Sequence, residues 1–218
     1  DPNGFYLAAA QCRCKDIADK RKSEDGIRRA QANLPHPQEP RTLFTFKARE
    51  GTAEAVRMAN AFAVFQGPAT LLLWGKPGSG KSHLLEAVGR AVLDTGRTVR
   101  YDTAIGFLDR LRETYGDWGK ESTEAVLDWY RGRHVLLLDD LGAGSGTDWA
   151  MSRLTELIDE RMRMGWRTAI ATNLGRDEMA EALGDRLASR LFQDREGLGE
   201  VARATLVCGD YRRRQYGQ

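Results

Sequence analysis

Eight consecutive residues, Gly75-Lys76-Pro77-Gly78-Ser79-Gly80-Lys81-Ser82, constrain this chain more than any other feature. They complete the P-loop pattern G-x-x-x-x-G-K-[ST]. Its glycines let the backbone curl until several N–H groups point at one phosphate. The apolar run Thr70-Leu71-Leu72-Leu73-Trp74 precedes the pattern. Leu84, Leu85, Val88, Ala91 and Val92 follow it at helical spacing. The reading is therefore strand, loop, helix, with the helix's positive end adding to the amide cradle. In this reading Gly75, Pro77, Gly78, Ser79, Gly80 and His83 line the site, Lys81 reaches the β- and γ-phosphates, and Ser82 ligates Mg²⁺. The competing reading, a glycine-rich turn without a ligand, does not account for both flanks.

The rest of the chain alternates in the same way. Helical spacing covers 52–65, 82–94, 104–114 and 122–131, and a further helix begins near Arg176. Short apolar runs at 98–101, 135–138, 168–171 and 204–207 read as further strands. Runs without polar interruption suit strands covered on both faces, hence a parallel sheet with right-handed crossovers. Pro35-His36-Pro37-Gln38-Glu39-Pro40 stops the basic helical stretch 15–32 and favours extended backbone. The expected division is a short N-terminal extension and Pro-rich linker, residues 1–40, and an ATPase domain, residues 41–218.

Two further segments complete a nucleotide site. Val135-Leu136-Leu137-Leu138-Asp139-Asp140 ends a strand in two acids. At the carboxyl edge of a parallel sheet Asp139 would act on Mg²⁺, and Asp140 would polarise the attacking water. Without a P-loop the same pair reads equally well as a surface strand end. Asp140 is one methylene shorter than the Glu usual at its position. Ile170-Ala171-Thr172-Asn173 ends the next strand. If that strand lies between the P-loop strand and the Asp139 strand, Asn173 faces the γ-phosphate; otherwise it caps the helix that follows.

Composition narrows the classes. Lys plus Arg number 33 against 31 Asp plus Glu, a net charge of +2, so any nucleic-acid surface must be local. No apolar run approaches the ~20 residues of a membrane span. The 3 cysteines give no disulfide framework, so a reducing cytoplasm is the expectation. The chain opens at Asp1 without an initiator Met, and a truncated or processed N-terminus is expected.

Taken in order, the P-loop, Leu136-Leu137-Leu138-Asp139-Asp140-Leu141-Gly142, Thr172-Asn173-Leu174, Asp185-Arg186-Leu187-Ala188-Ser189-Arg190-Leu191 and Gly209-Asp210-Tyr211-Arg212 resemble the DnaC/DnaI/IstB family. These are AAA+ ATPases that load the replicative helicase onto DNA or assist transposition. The resemblance covers roughly residues 40–215. It implies a P-loop NTPase of AAA+ type: three layers, α/β/α, around a five-stranded parallel sheet of order 5-1-4-3-2, with little or no lid. It also implies ATP and ADP as ligands, self-association with Arg190 acting in trans on a neighbour's ATP (Arg186 in reserve), and Arg212 near the γ-phosphate of its own subunit. A surface ion pair with Asp185 or Asp194 is the alternative for Arg190, and a solvated basic tail for Arg212.

Two further segments each carry two readings. Cys12 and Cys14 are half of a zinc site if an upstream Cys pair exists, and two surface thiols otherwise. Tyr115, Trp118 and Lys120 combine aromatic and basic character where the family places a single-stranded DNA contact, or else mark a helix end broken by Gly116 and Gly119. The function expected first is a helicase loader in DNA replication, working with a hexameric helicase and single-stranded DNA and without a membrane. A transposition helper ATPase comes second. A small-molecule P-loop kinase and a nucleotide-dependent binding module lie further off.

Overall fold

The computed structural model describes residues 13–114, 121–142, 147–192 and 201–208, the first five of them as backbone only. In chain order the elements are α1 (Arg13–Gln31), α2 (Ala53–Ala63), β1 (Thr70–Gly75), α3 (Lys81–Asp94), β2 (Val99–Thr103), α4 (Ala104–Arg112), α5 (Thr123–Arg131), β3 (Val135–Asp139), α6 (Asp148–Arg163), β4 (Arg167–Thr172), α7 (Arg176–Leu183), α8 (Asp185–Phe192) and β5 (Val201–Leu206).

The five strands form one sheet in the order β2-β3-β4-β1-β5, and every pairing is parallel. That is the order 5-1-4-3-2 read from the other edge. It sets β4 between β1 and β3, the condition on which Asn173 depends. Side chains alternate across the pleat. Leu71 and Leu73 of β1 join Leu84, Leu85 and Val88 of α3 on one face, while Leu72 joins Phe107, Tyr130, Leu154 and Ile170 on the other. Each fully buried leucine of this kind stabilises the fold by about 1.5–3 kcal/mol.

Element ends have local causes. Helix α2 stops at Ala63 because Val64 leaves helical geometry and Phe65 has φ 63°. The hydroxyls of Thr103, Ser122 and Thr147 accept backbone N–H bonds and cap α4, α5 and α6. Strand β5 begins at Val201, three residues earlier than its apolar run suggests, because Val201 already pairs with Thr70. Helix α6 has no clear helical signature in the sequence. Its charged surface dilutes the apolar face of Ala150, Leu154, Leu157, Ile158 and Met162.

Arg161 of α6 is fully buried. It donates to the carbonyls of Tyr130, Arg131, Arg133 and Arg167 at 2.8–3.1 Å and to the Thr168 hydroxyl at 3.0 Å. Desolvation pushes its pKa down to about 10. One guanidinium thus ties the end of α5 to the starts of β3 and β4.

The segment that the prolines mark as linker lies against this frame. Tyr101 N–H of β2 donates to Ala32 O at 2.8 Å, and Asn33 Nδ2 donates to Tyr101 O at 3.1 Å, which occupies an otherwise open sheet edge. Buried Glu86 of α3 receives Arg90 and meets His36 Nδ1 at 3.0 Å. Arg90 also donates to Pro35 O at 2.6 Å. Pro35, His36, Arg41, Thr42 and Phe46 thus strap this segment along the helix that follows the P-loop.

Candidate nucleotide site

The carboxyl ends of β1, β3 and β4 meet at one cleft. Two glycines there have no substitute. Gly75 has φ 155°, and a Cβ on it would lie 2.5 Å from Leu206 O of β5. Gly80, the residue before α3, has φ 101°, and a Cβ would lie 2.9 Å from the Phe46 ring.

Lys81 opens α3 and is only 5% exposed. Its ammonium donates to Gly75 O at 2.8 Å, Lys76 O at 2.9 Å and Asn173 Oδ1 at 2.6 Å. Ser79 Oγ is buried without a hydrogen-bond partner among the described residues. An orphaned hydroxyl of this kind costs about 1–3 kcal/mol, which a phosphate oxygen would offset.

Asp139 is 3% exposed. Tyr101 OH donates to its Oδ2 at 2.5 Å, and the Asp140 N–H donates to its Oδ1 at 2.9 Å. Burial, then the Asp139 charge, push the Tyr101 pKa far up, so the phenol keeps its proton. Asp140 leaves the strand with φ 50° and turns to the cleft. A positive φ on a non-glycine is uncommon and concentrates at functional turns. The turn is tied to β4: Leu141 N–H donates to Ala171 O at 2.9 Å, and Thr172 Oγ1 donates to Leu141 O at 2.7 Å. Asp140 and Asn173 are thereby held on one rim.

A cavity of about 470 Å³ opens over the P-loop. Gly75 does not line it, whereas Pro77, Gly78, Ser79, Gly80, Lys81, Ser82, His83, Asp140 and Asn173 do. So do Arg41, Thr45, Phe46, Lys47, Arg49 and Cys208, which the sequence reading did not place there. Arg41, Lys47, Arg49 and Lys81 face a single carboxylate, Asp140, so the cavity suits a polyanion. The available signal was the basic, aromatic stretch 41–49 just before α2. His83 fixes that stretch: its Nε2 lies 3.1 Å from Thr42 O, and its ring meets Phe46 edge-on at 5.2 Å. Burial pushes the His83 pKa down, so the ring is neutral.

Other expected residues lie elsewhere. Arg186 donates to Asp159 Oδ2 of α6 at 3.1 Å, and Arg190 donates to Asp159 Oδ1. Among the described residues the partner is Asp159 rather than Asp185; Asp194 falls outside them. Cys12, Tyr115, Trp118, Lys120 and Arg212 fall outside the described residues, and of Cys14 only the backbone is described, at the start of α1. Among the described residues no cluster of His, Cys, Asp or Glu could hold a metal by itself. No described helix is long and apolar enough to cross a membrane.

A parallel sheet of this order, with a P-loop before α3 and an acid ending β3, defines a P-loop ATPase domain of the AAA+ class. The sequence model of the family described as IstB-like ATP binding protein matches residues 12–214, and the chain belongs to that family. The replicative helicase loader DnaC of Escherichia coli K12 is 27% identical over 144 residues, which are 65% of this chain and 58% of the relative. The Escherichia coli K12 protein YdaV is 30% identical over 144 residues, 65% of this chain and 57% of its own. The matched region thus spans less than two thirds of these curated relatives. Among solved structures, the AMPPCP-bound DnaA of Aquifex aeolicus superposes with TM-score 0.66 at 22% identity, over 79% of this chain and 51% of that one. The DnaC helicase loader superposes with TM-score 0.64 at 23% identity, over 76% of this chain and 96% of that one. Both likenesses concern the fold.

Proposed function

We propose that this protein binds and hydrolyses Mg-ATP in the cleft over Gly75–Ser82 and acts in DNA replication as a helicase loader that oligomerises on single-stranded DNA. The observation that carries the catalytic part is the Lys81–Asn173 contact at 2.6 Å, which joins the P-loop to the rim that holds Asp140. Among the acceptors of this buried ammonium are three neutral oxygens, and phosphate oxygens are charge-assisted, stronger partners than these.

The residues divide the work. Backbone N–H groups of 78–82 orient the phosphates, and Lys81 neutralises them. Ser82 and Asp139 would hold Mg²⁺, which when bound withdraws charge from the transferring phosphoryl group. Asp140 accepts a proton from the attacking water, and Asn173 orients that water. Arg190 of a neighbouring subunit contributes a guanidinium to the same phosphoryl oxygens. Arg212 is assigned to the γ-phosphate of its own subunit by the resemblance alone.

The loader role is supported by the similarity to DnaC over 144 residues. A transposition helper ATPase is the second reading, favoured by the IstB-like family match. ATPase rate and oligomer state, measured together with and without single-stranded DNA, test the first. Stimulation by duplex DNA alone, with no capture of the replicative helicase, would move the assignment to the second.

A further inference from the structure

Tyr101 stands on the edge strand β2, opposite Leu137 of β3 in the parallel ladder. Asp139 lies two residues beyond Leu137 and so shares its face of the sheet. That face is the one α3 covers, since Tyr101 and Leu137 pack in one cluster with Leu84, Leu85 and Val88. The Tyr101 hydroxyl and the Asp140 N–H hold the two oxygens of Asp139, at 2.5 and 2.9 Å. A carboxylate gripped at both oxygens has no freedom about χ2, and its remaining lone pairs point in fixed directions.

The packing of Tyr101 asks for an aromatic ring, which phenylalanine would supply equally. The hydroxyl is the part that packing does not explain. Its position is fixed in turn by the backbone of Tyr101, bonded to Ala32 O and to Asn33 Nδ2 on the outer side of β2.

We infer that Tyr101 is a positioning residue whose hydroxyl sets the orientation of Asp139 and thereby the affinity of the nucleotide site for its divalent cation. The inference rests on the proposed role of Asp139 toward Mg²⁺. Hydrogen-bonded partners that orient a metal's ligands typically contribute about 10–100-fold in metal affinity.

The test is Tyr101→Phe, beside Asp139→Asn. ADP affinity is measured by calorimetry in EDTA and across a Mg²⁺ series, and Mn²⁺ bound to the ADP complex is counted by paramagnetic resonance. In Tyr101→Phe, metal-free ADP affinity should match the parent, while the Mg²⁺ and Mn²⁺ midpoints rise about 10-fold. Unchanged or lowered metal midpoints, in a background where Asp139→Asn abolishes the metal dependence, overturn the Tyr101 assignment and leave that of Asp139 standing. If Asp139→Asn retains the full metal dependence, the reading of Asp139 fails, and this inference with it. A fall in metal-free affinity as large as the metal effect reduces Tyr101 to packing and overturns it as well.

Discussion

Lys81 and Asn173 are joined by a 2.6 Å hydrogen bond from the ammonium at the start of α3 to the amide oxygen just past β4. Lysine accepts nothing, so Asn173 must turn its oxygen inward. Lys81→Ala should abolish productive nucleotide binding, because Lys81 is the cation bonded to the P-loop's own carbonyls. Asn173→Asp sets a carboxylate against the ammonium and competes with phosphate; nucleotide affinity should fall about 10-fold. Asn173→Ala should spare affinity and lower turnover about 100-fold. Equilibrium binding and single-turnover rates on the same samples separate the three.

Asp140 has left the strand with φ 50° and faces the cavity, whereas Asp139 is buried beneath it. Asp140→Asn should therefore keep ATP affinity within a few-fold and slow hydrolysis by about 100–10,000-fold. A variant that still turns over at the parent rate would remove Asp140 from the proton transfer.

Arg186 and Arg190 converge on Asp159. Arg186 is largely exposed, so its share of that contact contributes under about 1 kcal/mol. Arg190→Ala should leave ATP binding intact and reduce turnover about 1,000-fold, only where subunits assemble. Sedimentation at saturating ATP establishes assembly; a silent substitution in that state would rule out the trans role. Arg186→Ala should change neither assembly nor turnover by more than about two-fold.

The Arg161 guanidinium satisfies four carbonyls and one hydroxyl in the core. Arg161→Met fills most of the volume and leaves those acceptors unpaired. Unfolding free energy should drop by about 3–5 kcal/mol, read from urea midpoints at constant slope.

Folding lowers the His83 pKa from 6.5. The unfolded chain then takes up the proton first, so this residue's contribution to stability is complete above pH 6.5 and is lost as pH falls below it. His83→Gln should flatten the decline in thermal midpoint between about pH 7.5 and 5.5. An unchanged slope would show that the strap over α3 does not depend on a neutral imidazole.

Much of the site was legible in advance because it is local. The octapeptide 75–82, the acids 139 and 140, and Asn173 each follow an apolar strand run, so their place at the carboxyl edge follows from strand direction alone. Helix α6 is not legible because its apolar face is interleaved with charge, nor is the start of β5, whose first residues are only half-buried.

The sequence by itself determined the phosphate loop, the parallel α/β class and the identity of the acids, since each depends on residues near one another in the chain. Only the tertiary structure decided that Tyr101 holds Asp139, that Asp159 gathers Arg186 and Arg190, and that Arg41, Thr45, Phe46, Lys47, Arg49 and Cys208 wall the cavity. Those contacts join segments separated by tens of residues. Sheet order and the path of the strap set them, and no local pattern of hydrophobicity encodes either.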